Sequence, residues 1–279
     1  MNSMAKSESS SRIVTSIVAV ISAAALAVSL IAAGFAACAV PDVSTKALAS
    51  VYSTDDVSPF TKDELVAAAV QTKHYTIDDN DKAAVYATIA AINAQEALAG
   101  TAGKGAPKID ATANYAAGEL SGEQVAVLET AFDAASERYV LTPDAVSHLD
   151  DVFGVVQAAK WWLLAAVVAA CVGCTATAFR GGRRLLGRVL AGAGVSVLAV
   201  FALLAAWVAI DFDGFFAQFH SLFFAAGTWT FSWDSLLICM YPPEFWEGMG
   251  VIWLVVTVAC CVVCITIGRL LRKGSTQKR

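Results

Sequence analysis

Three histidines stand in this chain of 279 residues, and two of them have neighbours that could turn an imidazole into a working acid or base. His148 lies in the run Ser147-His148-Leu149-Asp150-Asp151-Val152. On a helix, Asp151 falls three residues on and shares a face with it. A carboxylate there would fix the imidazole tautomer and raise its basicity, as in a base with its orienting group. If residues 213–224 are helical, Phe216, Phe219, Phe223 and Phe224 surround His220 at helical spacing, and Asp213 lies two turns earlier on the same side. Desolvation would lower that imidazole's pKa and a nearby carboxylate would raise it, a balance that suits a base working near neutral pH. The same patterns also fit an ordinary surface His–Asp pair and a polar anchor on an interfacial helix, and local spacing leaves these readings open. His74, in Lys73-His74-Tyr75 at the end of a soluble helix, reads as structural, because cations suit a helix C-terminus.

The elements that must hold these residues are membrane helices and their connections. The composition is 57% hydrophobic and only 15% charged, which favours an integral membrane protein. Four runs without a charged side chain, 13–40, 161–179, 189–210 and 251–267, are long enough to cross a hydrocarbon core of ~30 Å. Arg180, Arg183, Arg184 and Arg188 lie between the second and third runs, Arg269, Arg272, Lys273, Lys278 and Arg279 follow the fourth, and Lys6 and Arg12 precede the first. Positive-inside reasoning places all of these in the cytoplasm, both termini included, and the intervening segments outside.

The expected layout is an all-α membrane protein, a four-transmembrane-helix bundle. A cytoplasmic arm (1–12) leads to span one (13–40), a helical extracytoplasmic domain (41–157) and span two (158–180). A basic loop (181–188), span three (189–210), an extracytoplasmic aromatic interfacial segment (211–248), span four (249–268) and a basic tail (269–279) follow. The segment 211–248 carries a dozen aromatics, including Trp229, Trp233 and Trp246, a density suited to the boundary between lipid and water. The first run admits a second reading, a signal peptide ending in a lipid-accepting Cys38. Its length, about twice a typical signal core, and Phe35 at the position where such motifs want Leu weigh against it.

In the outer domain, residues 41–157 carry 18 Asp and Glu against 7 Lys and Arg, a surface for basic partners or simply a solvated one. Residues 41–60 read as a polar connector. Thr61-Lys62-Asp63-Glu64 is a capping box opening a helix. A second helix is predicted over 78–99 with Val85, Ile89 and Ile92 on one stripe, then a Gly/Ala/Thr-rich loop over 100–120. Ser121-Gly122-Glu123-Gln124 caps a third, with Val125, Leu128 and Phe132 inward. Thr142-Pro143 starts a fourth that runs into span two. So many alanines imply a thin core that leans on the membrane bundle.

Cys171-x-x-Cys174 and Cys261-x-x-Cys264, with Cys260, allow a thiol redox reading, but both pairs fall in the cytoplasmic halves of their spans, far from the oxidising side. No histidine or carboxylate near them completes a metal set. No metal and no cofactor is expected. No phosphate loop, nucleophile elbow or basic-aromatic nucleic-acid surface is present, so nucleic acid is not an expected partner.

The order of these pieces resembles a known family. A His-x-x-Asp-Val element (His148, Asp151, Val152) enters span two. Asp211-Phe212, Phe215-Phe216, Phe219-His220, Phe223-Phe224, Trp229, Asp234 and Pro242-Pro243-Glu244-Phe245 follow span three. This is similar to the integral membrane family that includes lipoprotein intramolecular transacylase, over about residues 139–267. The resemblance implies an acyltransferase of the cell envelope and plasma membrane. It would move an acyl chain from the diacylglyceryl ester of a lipoprotein to the α-amino group of its lipidated cysteine. His148, His220 and Asp151 would be catalytic, and Asp213, Phe216, Phe219, Phe223, Trp229 and Asp234 would contact substrate. Partners would be membrane lipids and the diacylated lipoprotein. Which histidine is base and which is acid stays open. A paired mechanism requires the two rings to come within ~10 Å of each other, because both must reach one reacting centre. The competing reading is a non-enzymatic four-span protein whose acidic domain binds or senses.

Overall fold

The computed structural model describes residues 2–115 and 120–273, with residues 2–9 as backbone alone. Among the described residues the chain forms helices and no strand: α1 (Asn2–Ala39), α2 (Asp42–Tyr52), α3 (Lys62–Ile77), α4 (Lys82–Ala99), α5 (Gly122–Asp133), α6 (Pro143–Ile210), α7 (Phe212–Ser221), α8 (Leu236–Met240) and α9 (Pro243–Lys273). They sort into two compact units.

The first unit takes α1 up to Ala37, α6 from Ala159, the start of α7 and α9 from Ile252. Three of its helices are long and apolar enough to cross a membrane. The longest, α6, is not continuous: Gly182 has φ 70° and ψ 180°, outside helical space, and it joins two apolar arms. Only glycine adopts that backbone without strain. The helices approach closely where side chains are small. A methyl group on Gly187 would come within 2.5 Å of the Gly268 carbonyl, and one on Gly268 within 2.6 Å of the Gly187 carbonyl. Gly194 is likewise crowded, a methyl group there coming within 2.8 Å of the Ile265 side chain and 3.0 Å of the Cys261 carbonyl, whereas Gly192 in the same run faces open space. Leu30, Val197, Phe201 and Cys261 fill the centre of this unit. Trp253 meets the edges of Phe35 and Phe201, both with ring centroids 5.7 Å apart, and donates its indole N–H to the Ile31 carbonyl at 3.0 Å. The outward faces stay apolar, with Trp162, Phe179 and Ile210 at 78%, 87% and 84% exposure. Such a surface belongs in lipid, and this is an integral membrane protein.

The second unit joins residues 38–158 to residues 216–251. Two capping boxes start helices as expected, Thr61 with Glu64 on α3 and Ser121 with Gln124 on α5. The other reading of this region needs correction in three places. Residues 42–52, expected in a loose connector, are helical, with the small side chains of Ser44, Thr45 and Ala49 buried against α3. The second helix starts at Lys82 rather than 78, because Asp81 caps it by accepting from the Ala84 amide. The core is not thin: Leu65, Ile89, Phe132, Val140, Leu141, Leu236, Met240 and Phe245 are each at most 2% exposed. Three of these come from the segment read as a separate interfacial stretch. It is stitched in by Thr54 N–H to the Cys239 carbonyl (2.9 Å), Ser53 to the Met240 carbonyl (3.0 Å) and the Tyr241 hydroxyl to the Ala69 carbonyl. Leu65→Ala, at the centre of this core, should cost about 2–5 kcal/mol of stability. A thermal melt of the purified protein checks it, and an unshifted midpoint would contradict the packing.

Candidate active site

His148 owes its inward aim to the start of α6. Thr142 caps this helix by accepting from the Ala145 amide at 3.3 Å. Ala145, Val146 and Leu149 are buried in the core, and one turn after Ala145 the same face carries His148, 9% exposed. His220 comes from the last turn of α7, and its own carbonyl accepts the amides of Phe223 (3.0 Å) and Phe224 (2.9 Å) to close that helix. The chain then turns through Gly227, at φ 87°, and brings Trp229 and Phe231 back over the two imidazoles.

The ring centroids of His148 and His220 lie 6.3 Å apart with planes 29° from parallel, inside the limit a paired mechanism requires. Phe224 is shared between them, 4.8 Å from His148 and 5.7 Å from His220. Phe231 closes the far side of His148 at 5.7 Å. Phe216 (4.0 Å), Trp229 (4.8 Å) and Phe219 (5.8 Å) surround His220, and Phe223 packs against Phe219 at 5.3 Å with the rings tilted by 60°. Phe219 and Phe223 keep 42% and 48% of their surface exposed, so the box has an apolar open flank.

The hydrogen bonds distinguish the two rings. Nδ1 of His220 lies 2.8 Å from the Phe216 carbonyl, which can only accept; the proton is therefore on Nδ1 and Nε2 carries a lone pair. Nδ1 of His148 is buried with no hydrogen-bond partner. A buried orphan N–H is rarer than an orphan acceptor, so the favoured tautomer places the proton on Nε2. Burial pulls the His148 pKa down to about 4, helped by repulsion from His220 and opposed by the charge of Asp151. Burial also lowers His220, opposed by its bond to Phe216. Both rings are then neutral at neutral pH.

The carboxylates are placed differently from a base-and-orienter set. Asp151 is exposed and acts on His148 through charge, without a hydrogen bond. Its neighbour Asp150 is the engaged one, accepting from the Tyr75 hydroxyl and, at 3.2 Å, from Asn80. Asp234 turns to Arg138 Nε at 3.4 Å. Asp213 is exposed in the first turn of α7, within the membrane-helix unit. His74 sits in a charge cluster, 3.0 Å from Asp42 and 3.6 Å from Asp78, beside Lys73. All seven cysteines are free thiols.

Sequence reasoning missed Phe231, Glu137 and Arg138. The Ser232 hydroxyl donates to Glu137 at 2.6 Å, the Leu236 amide donates to the Glu137 carbonyl at 2.7 Å, and Arg138 donates to the Val57 carbonyl at 2.7 Å while pairing with Asp234. Together they pin the strip that carries Trp229 and Phe231. A Ser and an Asp some 95 residues from their partners leave no local signal. The Arg138–Asp234 pair is partly exposed and weak by itself. Its value is in fixing the strip: Arg138→Ala should speed hydrogen exchange at residues 229–236 about fivefold, the equivalent of roughly one hydrogen bond. Unchanged exchange there would remove Arg138 from the positioning set.

The sequence model of the family described as lipoprotein intramolecular transacylase Lit matches residues 111–246. Three solved structures share the fold, all of the membrane-integral lipoprotein intramolecular transacylase Lit from Bacillus cereus and all 15% identical to this chain. A histidine-to-arginine variant aligns with 99% of this chain and 100% of its own at TM-score 0.66. A histidine-to-alanine variant aligns with 95% and 96% at 0.64, and a third structure with 95% and 99% at 0.61. No curated protein sequence matches the chain. A family match that takes in both stacked histidines, and a fold shared along nearly the whole length, make this chain a Lit-like integral membrane protein.

Proposed function

We propose that the chain is an intramolecular transacylase that shifts an acyl chain from the diacylglyceryl ester to the α-amino group of a lipoprotein's lipidated cysteine. The observation that carries the reading is the pair of adjacent imidazoles with unequal hydrogen bonding inside an aromatic box with an apolar flank. One proton of the α-ammonium is released as the amine becomes a nucleophile. The amine nitrogen attacks the ester carbonyl, and the second proton passes to Nε2 of His220. His148, kept neutral by burial, donates from Nε2 to the carbonyl oxygen as negative charge develops there; a neutral imidazole suits this better than an acid that would give its proton away. His220 then protonates the departing glycerol oxygen. One C–O bond is exchanged for a C–N bond, and donor and acceptor in one molecule let positioning supply much of the rate. Phe219 and Phe223 hold acyl chains at the open flank.

The same reading has the chain cross the membrane four times. An unbroken 68-residue helix would be about 100 Å long, three times the hydrocarbon thickness. The break at Gly182 among four arginines supports two crossings within α6, and positive-inside reasoning supports a basic loop in the cytoplasm with residues 41–157 and 211–248 outside. Mass spectrometry of lipoprotein N-termini from cells with and without the protein tests the function. An acyl chain moved from glycerol to nitrogen only when the protein is present is the expected result; identical lipopeptides would refute it.

A further inference from the structure

The two histidines differ in how a positive charge on each would be stabilised. His148 feels the carboxylate of Asp151. For His220, the opposing influences are burial and its bond to the Phe216 carbonyl. Asp234, the acid on the strip that returns over it, is tied to Arg138. The titratable group that faces it, His148 on α6, is a second imidazole held neutral by burial, and it offers no opposite charge. Yet a proton shuttle must become an imidazolium during each turnover.

What His220 has is ring faces. Phe216 at 4.0 Å, Trp229 at 4.8 Å, Phe224 at 5.7 Å and Phe219 at 5.8 Å all lie within the ~6 Å reach of a cation–π contact. Phe216 and Trp229 are the nearest two, tilted 38° and 30° to the imidazole, so it lies more along their faces than against their edges. The indole N–H of Trp229 is buried without an acceptor, an arrangement that disfavours Trp at this position unless its ring supplies something else. Trp has the strongest π face for a cation.

We propose that Trp229 and Phe216 form an aromatic cage that stabilises the imidazolium of His220 while it carries the transferred proton. Trp229 is thus a positioning residue whose effect appears only when His220 is charged. The cage deepens the transacylase reading, since such an imidazolium exists only in a reaction that protonates His220. Interactions made only with the charged form raise kcat and leave KM alone.

The test is a titration of the full-length protein, labelled in its histidines, by NMR in lipid nanodiscs; with three histidines in the chain the imidazole signals are few. Trp229→Leu keeps the site apolar but removes the π face. It should lower the His220 midpoint by about 0.4 to 1.5 pH units and kcat about 3- to 30-fold, with KM little changed. Phe216→Leu, which keeps the carbonyl that holds Nδ1, should shift the midpoint the same way, and Trp229→Phe should restore most of both values. A midpoint unmoved or raised in both Leu variants would overturn the cage. So would a Trp229→Phe variant as impaired as Trp229→Leu, which would make the indole N–H the working group. If the midpoints fall as expected but lipopeptides from the native protein show no acyl shift, the cage stands and the transacylase reading falls.

Discussion

His220→Ala should cut conversion of a diacylated lipoprotein about 10²- to 10⁴-fold, the range for loss of a positioned acid–base group, while the protein still inserts and melts near the native temperature. The expectation of a normal fold follows from partial exposure: His220 is not part of the tightly buried core, and its backbone carbonyl, which closes α7, survives the substitution. The expected chemical loss follows from the tautomer. Nδ1–H is committed to the Phe216 carbonyl, so only Nε2 can accept a proton, and alanine offers none. Added imidazole should recover part of the rate in the alanine variant. The pH profile carries a sign as well. A base must be unprotonated, and burial moves His220 below the ordinary 6.5, so the acid limb it sets in kcat should lie below pH 6.5 and be absent in the variant. A variant that converts substrate at close to the native rate would end the role of His220 as proton carrier.

Much of the site was legible because its key signals are local. The Phe repeat around His220 and the capping chemistry at Thr61, Ser121 and Thr142 depend on residues a few positions apart. The stripe of Val85, Ile89 and Ile92 faces the core as its spacing predicts. What escaped was non-local or carried no apolar pattern. Helix α2 buries Ser44, Thr45 and Ala49, small or polar side chains that read as a turn until α3 packs over them. The merging of 38–158 with 216–251 depends on backbone bonds such as Thr54 to Cys239, which side-chain identity does not encode.

The division of labour between the histidines was unreadable for the same reason. Spacing puts Asp151 on the face of His148 and suggests that it orients the ring. The structure leaves Nδ1 of His148 without any partner and lets Asp151 act only as a charge at a distance. The acceptor that does fix a tautomer is a main-chain carbonyl, Phe216, and it serves the other histidine. A sequence pattern can nominate titratable groups, but the atoms that choose their protonation state are often backbone.

His148→Phe should lose activity to a similar degree, and its fold should become less sensitive to acid. Phe224 and Phe231 already pack on the imidazole, so an aromatic replacement fills the same apolar space while removing the Nε2–H proposed to meet the developing oxyanion. Loss of one such donor costs about 10²- to 10³-fold in turnover. The stability effect comes from linkage. In the unfolded chain His148 takes up a proton near pH 6.5, and in the folded protein only near pH 4. Between those values the unfolded state binds more protons, so native stability is whole above pH 6.5 and falls as the pH drops towards 4, by up to roughly 3 kcal/mol from this residue. Phenylalanine has no proton to bind, so that part of the decline should vanish. Melting temperatures of native protein and variant at pH 7.5 and pH 4.5 measure it: the gap between the two pH values should narrow in His148→Phe. An equal gap in both proteins would mean that His148 is not held neutral by its burial, and its assignment as the neutral donor would fail with it.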